Sequence, residues 1–219
     1  MRNPPISKLI NLIQKTRTMK NLVLIFCLAG FSTVSMAQKG YNEWHANWVF
    51  GLPVGNNFVT SFSALGFDMG YSKFIKDDLS VGIEFGWSNY YQYAPRKTYE
   101  INNGAATTDL YKYIYTLPIT LYATHYFKGG DHFTPFVKLG LGAQYGEQNL
   151  YYNIYETSNT NWGFVAIPEL GTVVHFTKDN PWGLYASVRY RYSTNATKAL
   201  GVNNVQTVDF SVGVAYVMR

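Results

Sequence analysis

The residues able to do chemistry in this chain are charges set at alternate positions among apolar neighbours. Asp68, Glu84, Lys138, Glu169, Arg189, Arg191 and Asp209 each fall on the polar parity of an alternating segment. Carboxylates and cations so placed can pair with one another, line an ion path or supply acid–base groups. If residues 177–181 form a turn centred on Asp179, Glu169 and Arg189 oppose each other across a hairpin. If the last loop centres near Leu200, Arg191 and Asp209 oppose each other likewise. Asp68 and Glu84 face each other on neighbouring segments and need a cation such as Lys138 reaching across the interior. An unpaired charge in a low-dielectric interior is very costly, so a pairing network is the expected arrangement and a gated ion path the lesser one. The histidines add no catalytic set. His125, His132 and His175 fall near short turns and His45 near the start of the first segment, at no spacing that suggests a Ser–His–acid group or a metal site. The single cysteine, Cys27, excludes a disulfide framework and a thiolate zinc centre. These residues imply no catalytic, metal or cofactor set.

The elements that hold those charges are strands. Leu79, Val81, Ile83, Phe85 and Trp87 alternate with Ser80, Gly82, Glu84, Gly86 and Ser88, and the same split recurs at 182–193 and 207–219. Eight strands are predicted, at residues 43–51, 62–74, 79–92, 111–127, 132–147, 161–176, 182–194 and 206–218. Short polar turns at 75–78, 128–131 and 177–181 alternate with longer loops at 52–61, 93–110, 148–160 and 195–205. Even strand number with short turns at one end and long loops at the other is the pattern of a membrane barrel. A soluble ligand-carrying barrel is the rival, and it would be apolar inside. The apolar parity, such as Trp44, Trp48 and Phe50 or Val137, Leu139 and Leu141, is read as free of Asp, Glu, Lys and Arg. The other parity carries Glu43, His45, Lys112 and the seven charges above, beside many glycines, which suits a packed polar lumen under a lipid-facing coat. Phe74, Phe127, Phe133, Phe176 and Trp182 near the short turns, and Tyr90, Tyr91, Tyr111, Tyr113, Tyr145, Trp162, Tyr190 and Tyr192 towards the long loops, read as two aromatic girdles. Pro118 and Pro168 fall within strands and predict bulges.

Composition narrows the rest. With 47% hydrophobic, 17% aromatic and only 14% charged residues, the 219-residue chain is too aromatic for disorder and unlike a helical bundle. The net charge of +5 suggests nucleic acid until it is located. Arg2, Lys8, Lys15, Arg17 and Lys20 lie before residue 38 with no acid among them, which leaves 13 basic against 13 acidic residues beyond. The nucleic-acid reading therefore falls. From Met19, a short basic start, an apolar run from Leu22 to Phe31, and Ser35 and Ala37 at the −3 and −1 positions spell a secretory signal peptide cut between Ala37 and Gln38. Residues 1–37 are then leader, with Met19 a candidate true start, and residues 38–219 the barrel domain.

Thr-Leu-Pro-Ile-Thr-Leu-Tyr at 116–122, Pro-Phe-Val-Lys-Leu-Gly-Leu-Gly-Ala at 135–143, Pro-Glu-Leu-Gly at 168–171 and the alternating last strand resemble the outer membrane protein beta-barrel domain family, porin-like proteins akin to the OmpX and OmpA-type eight-stranded barrels. The resemblance implies an all-β, up-and-down antiparallel transmembrane barrel integral to the bacterial outer membrane. It implies contact with lipid and lipopolysaccharide, assembly by the barrel assembly machinery, and a monomer with both termini in the periplasm. Such barrels commonly end on an aromatic residue read during assembly. This chain ends Tyr216-Val-Met-Arg219, so Tyr216, with Met218 on the same parity, is the expected signal. The role expected is non-enzymatic: structural, or an interaction of the long loops with an unknown surface or envelope partner. A narrow porin or solute carrier is the alternative, and a lipid-modifying enzyme comes third.

Overall fold

The computed structural model describes residues 40–218 apart from 102, 103, 131, 154, 176, 178 and 179. The expected leader, its expected Ala37–Gln38 junction and Phe176 lie outside the described residues. Eight strands follow in chain order: β1 Asn42–Val54, β2 Leu65–Lys76, β3 Leu79–Ile101, β4 Gly104–Tyr126, β5 Phe133–Tyr152, β6 Tyr155–His175, β7 Trp182–Ser193 and β8 Val205–Met218. Each pairs antiparallel with its neighbour, and β1 closes on β8 through thirteen residue pairs from Asn42↔Met218 to Val54↔Gln206. Closure leaves the transmembrane part without a free edge, which a hydrocarbon environment requires.

Alternation decides what faces where. Along β7 every odd residue is buried and every even one exposed. The exposed set is apolar: Trp48, Leu121, Leu170, Phe210 and Val212 are all more than half exposed. The buried set includes Asp68, Glu84, Lys138, Glu169, Arg189, Arg191 and Asp209. An interior of charges under a coat of exposed Leu, Val, Phe and Trp is the inverse of a soluble barrel, so the soluble alternative is excluded. The outward parity is not wholly free of charge. Lys73 shares it near the end of β2, and Glu147 shares it towards the far end of β5. Both lie at strand ends, where head groups and water replace hydrocarbon.

Two further expectations fail. The segments 93–110 and 148–160 are not loops: β3 runs on to Ile101 before β4 begins at Gly104, and β5 runs on to Tyr152 before β6 begins at Tyr155. Asn153 between them has φ 54°, the left-handed conformation that asparagine tolerates better than most residues. Strands of 20–23 residues far exceed the 9–11 that cross a bilayer, so β3–β6 rise beyond the barrel as a four-stranded wall. The prolines cause no bulge. Beside Pro118 the β3–β4 ladder pauses between Phe85↔Ile119 and Ser88↔Thr116 and resumes in the same register. Beside Pro168 the β6–β7 ladder pauses between Ala166↔Tyr192 and Glu169↔Arg189 and does the same. A missing N–H drops pairs without inserting a residue. The register shifts lie elsewhere, between Phe74 and Lys76 and between Ala94 and Lys97.

The belts also need correcting. Phe74 and Tyr90 sit on the inward parity: Phe74 packs on Tyr126 with ring centroids 5.2 Å apart, and Tyr90 is buried in the lumen. Trp182, Phe133, Phe127, Tyr91, Tyr111, Trp162, Tyr190 and Tyr192 are exposed on the outside as expected.

Candidate functional site

The lumen is filled in three layers. At the short-turn end Tyr126, Phe136, Val173 and Tyr185 form an apolar cluster. At the other end loop 55–64 folds inward and sets Phe58 and Val59 against Tyr90, Ile114, Val202 and Val205. Between the two lie the charges.

Register brings them together. Arg189 on β7 stands between Glu169 on β6 and Asp209 on β8. The expected Glu169–Arg189 opposition is therefore present, while the expected Arg191–Asp209 opposition is two residues out, Arg191 pairing with Thr207. The ion pair survives diagonally, with Arg191 Nη2 2.8 Å from Asp209 Oδ2. Asp68 opposes Gly86 and Glu84 opposes Gly70, so those two acids are also offset. Their cations differ. Lys138 Nζ lies 2.6 Å from Glu84 Oε2 and 2.8 Å from Glu169 Oε2, whereas Asp68 is paired with Arg189, whose Nη2 lies 2.7 Å from Asp68 Oδ2. Arg189 Nη1 also reaches Glu84 Oε1 at 3.3 Å.

Neutral groups complete the network. Asn47 Nδ2 donates to Asp68 Oδ1 at 2.7 Å, and the Tyr185 hydroxyl donates to Glu169 Oε1 at 2.5 Å. Lys138 donates to the same hydroxyl at 3.0 Å. Arg191 Nη1 donates to Thr116 Oγ1 at 3.0 Å, and Tyr90 OH to Asp209 Oδ1 at 3.3 Å. Nearer the short turns Tyr126 OH donates to Glu43 at 2.9 Å. Two glycines make room: a Cβ at Gly70 would collide with the His45 ring, and one at Gly82 would stand 2.7 Å from Tyr122 Cζ. Buried charges are tolerable when paired and hydrogen-bonded: Asp68, Glu84, Lys138, Glu169, Arg189, Arg191 and Asp209 are ion-paired, and Glu43 is held by the Tyr126 hydroxyl. Lys112 stands apart from the network, half-buried, with its ammonium 5.4 Å from the Phe58 ring centroid.

His45 is the residue that spacing did not reveal. Its Nε2 lies 3.1 Å from Glu84 Oε2 and its ring stacks on Tyr185 at 5.2 Å. The available signal was its inward parity between Glu43 and Asn47. One ligand atom each from His45, Asp68 and Glu84 lies within 4.8 Å of the others, which is metal-like. The donor set does not fit a cation, because Lys138 and Arg189 already hold those carboxylates at 2.6 and 2.7 Å. The other histidines lie at the short-turn rim as expected: His125 is 3.8 Å from Asp78, and His132 Nδ1 is 3.2 Å from the His175 carbonyl. Asn195 was also missed. It is buried where loop 194–204 meets β5 and β6, donating to the carbonyls of Gln144 and Asn161. The last strand presents Tyr216 outward against Trp182, centroids 4.7 Å apart, with Met218 beyond it.

This geometry, a closed ring of eight strands, polar within and apolar without, accompanies a match in sequence to the outer membrane protein beta-barrel domain family over residues 24–217. The chain belongs to that family. It is an integral outer membrane protein. A major outer membrane protein of Thermus thermophilus shares the fold with a TM-score of 0.54 at 10% identity, covering 83% of this chain and 100% of that one. The outer membrane protease OmpT of Escherichia coli gives 0.51 at 8%, covering 84% and 99%. Neisserial surface protein A gives 0.49 at 17%, covering 83% and 99%. Identities so low speak to the fold alone. No curated protein matches the chain in sequence.

Proposed function

We propose that this family member is a non-conducting, non-enzymatic outer-membrane barrel that presents the β3–β6 wall to a surface partner. The observation that carries this reading is the contrast between a lumen closed by two apolar clusters with an ion network between them and a wall with open edges. Above Asn89, β3 has no strand neighbour on the β2 side, and above Val165, β6 has none on the β7 side, among the described residues. The two edges differ. The β3 edge carries Pro95, Arg96, Lys97 and a register shift, devices that discourage strand pairing. The lower β6 edge is covered by loop 194–204, with Asn161 Nδ2 donating to the Ala196 carbonyl. Residues 155–160, Tyr-Glu-Thr-Ser-Asn-Thr, have no proline and one charge. That stretch suits an extended peptide added as a further strand, its main chain supplying affinity. With the short turns taken as periplasmic, as in outer-membrane barrels generally, the wall lies outside the cell. Outward aromatics then meet lipid and lipopolysaccharide, Tyr216 and Met218 serve as the assembly signal, and closure without a free membrane edge suits a monomer.

The test is selection of random displayed peptides on the barrel in phospholipid nanodiscs. Consecutive amides of a strand point to opposite neighbours, so one of Ser158→Pro and Asn159→Pro deletes an outward donor. Selected peptides should lose binding to one of the two and keep it for Thr98→Pro on the protected edge. Equal binding to all three would remove strand addition.

A further inference from the structure

Above the Phe58–Val202 cluster the wall encloses a cup of about 380 Å³, in the size range of small-molecule sites. Leu110, Leu150 and Leu200 line it, with Tyr99, Tyr152 and Thr108. Leu150 and Leu200 also pack on the apolar cluster, so the cup has a closed apolar floor. The β3 register shift between Ala94 and Lys97 decides which residues enter it. Below the shift the even residues of β3, such as Ser88 and Tyr90, face inward; above it Tyr99 lines the cup. The Tyr99 hydroxyl is buried there with no hydrogen-bond partner among the described residues, a donor without an acceptor.

Charge on the wall is segregated. Lys97 pairs with the cup-lining Thr108, and its ammonium stands 5.0 Å from the Tyr99 ring centroid. Lys112 pairs with Leu150, its ammonium over Phe58 at the floor. Both lysines are therefore at inward register positions, whereas Asp109, Glu147 and Glu156 occupy the outward parity of β4, β5 and β6. An apolar cup flanked by two lysines at inward register positions, with Asp109, Glu147 and Glu156 on the outward parity and one orphan hydroxyl donor, is complementary to an amphipathic anion.

We propose that the cup binds a small apolar carboxylate, its body among Leu110, Leu150 and Leu200 and its head group accepting from Tyr99 and paired with Lys97 and Lys112. The ligand is held and not passed, because Ile114, Val202 and the ion network close the way below. This site is on the inner face of the wall, so it stands or falls separately from strand addition at the β6 edge.

Titration of the full barrel in nanodiscs tests it, with phenylacetate, its uncharged amide phenylacetamide, and acetate as probes. Phenylacetate should bind saturably, with phenylacetamide and acetate each weaker by about tenfold or more, the first lacking the charge and the second the apolar body. The pair Lys97→Gln/Lys112→Gln, with barrel integrity checked by heat-modifiable gel mobility, should weaken phenylacetate about tenfold and leave phenylacetamide unchanged. Tyr99→Phe should weaken phenylacetate, and Leu150→Glu, with barrel integrity checked by heat-modifiable gel mobility, should abolish its binding. Equal affinity for acid and amide, indifference to the lysine pair, or no saturable binding would each overturn the proposal.

Discussion

Removing Arg189 tests whether the lumen is held by specific ion pairs. Its guanidinium faces four carboxylates: Asp68 at 2.7 Å, Glu84 at 3.3 Å, Asp209 at 3.7 Å and Glu169 at 4.0 Å. The four do not depend on it equally. Glu84 and Glu169 keep Lys138, and Asp209 keeps Arg191. Among the described residues Asp68 keeps only the neutral donors Asn47 and, at 3.5 Å, Ser211. Arg189→Met therefore strands one buried carboxylate, and breaking a buried pair by removing one partner costs about 3–5 kcal/mol. Asp68→Asn added to Arg189→Met should recover most of that loss, since the stranded charge is gone. Glu169→Gln added instead should recover little, because Glu169 retains its own cation. Urea unfolding of the refolded barrel, followed by heat-modifiable gel mobility and tryptophan fluorescence, measures all three. A cost for Arg189→Met within about 0.5 kcal/mol of wild type, the range of ordinary surface changes, would mean that water reaches these groups. Equal rescue by the two second changes would mean that only net charge matters, and the specific pairing of Asp68 with Arg189 would be refuted.

Three other outcomes are expected. Leu139→Arg, which points a charge from the middle of β5 into lipid, should cost about 2–4 kcal/mol in the same unfolding assay; folding as readily as wild type would invert the facing assignment. Refolded protein in planar bilayers should show no steady open state, because an eight-stranded interior is just wide enough for side chains to fill; a conductance that changes with Arg191→Gln would promote the narrow-channel alternative. Intact mass of the protein purified from outer membranes should place the N-terminus at Gln38, and a product retaining residues 19–37 would remove the signal-peptide argument.

The transmembrane part was legible because lipid on one side and a packed lumen on the other impose opposite polarities, and period two follows. Glu169 and Arg189 could be paired from sequence because the connection between β6 and β7 is short and its centre is defined. Arg191 and Asp209 could not, because loop 194–204 contains a short 3-10 helix, Lys198–Leu200, that moves the effective centre. The wall was hidden for a different reason. Beyond the bilayer both faces of β3–β6 can be polar, so Thr98, Thr107, Thr157 and Thr160 show no alternation of hydropathy. The Asn-Gly pair at 103–104 was the remaining sign of a hairpin there. His45 escaped because its partner Glu84 is two strands away: both pair with Gly70 on β2, whose missing side chain lets them meet across it at 3.1 Å.

Well-packed apolar residues would fill such a lumen at least as stably as buried ion pairs. The charges therefore call for a cause other than stability, and the route to the outer membrane supplies one. An exported barrel strand must cross the inner membrane without stopping there, and about 20 consecutive apolar residues would stop it. The outward parity is committed to lipid and cannot be made polar. Only the inward parity can lower the hydropathy of each strand, as Glu84, Lys138, Glu169, Arg189 and Asp209 do in β3, β5, β6, β7 and β8. Eight strands then close on a space too narrow to hydrate those groups, so they must pair with one another or not fold. A dense ion network in a small barrel thus follows from export and closure together, with no transport or catalysis required of it. The same reasoning predicts that uncharged polar replacements which keep the hydrogen bonds are tolerated in the lumen, whereas apolar replacements that are stable in the folded barrel impair export.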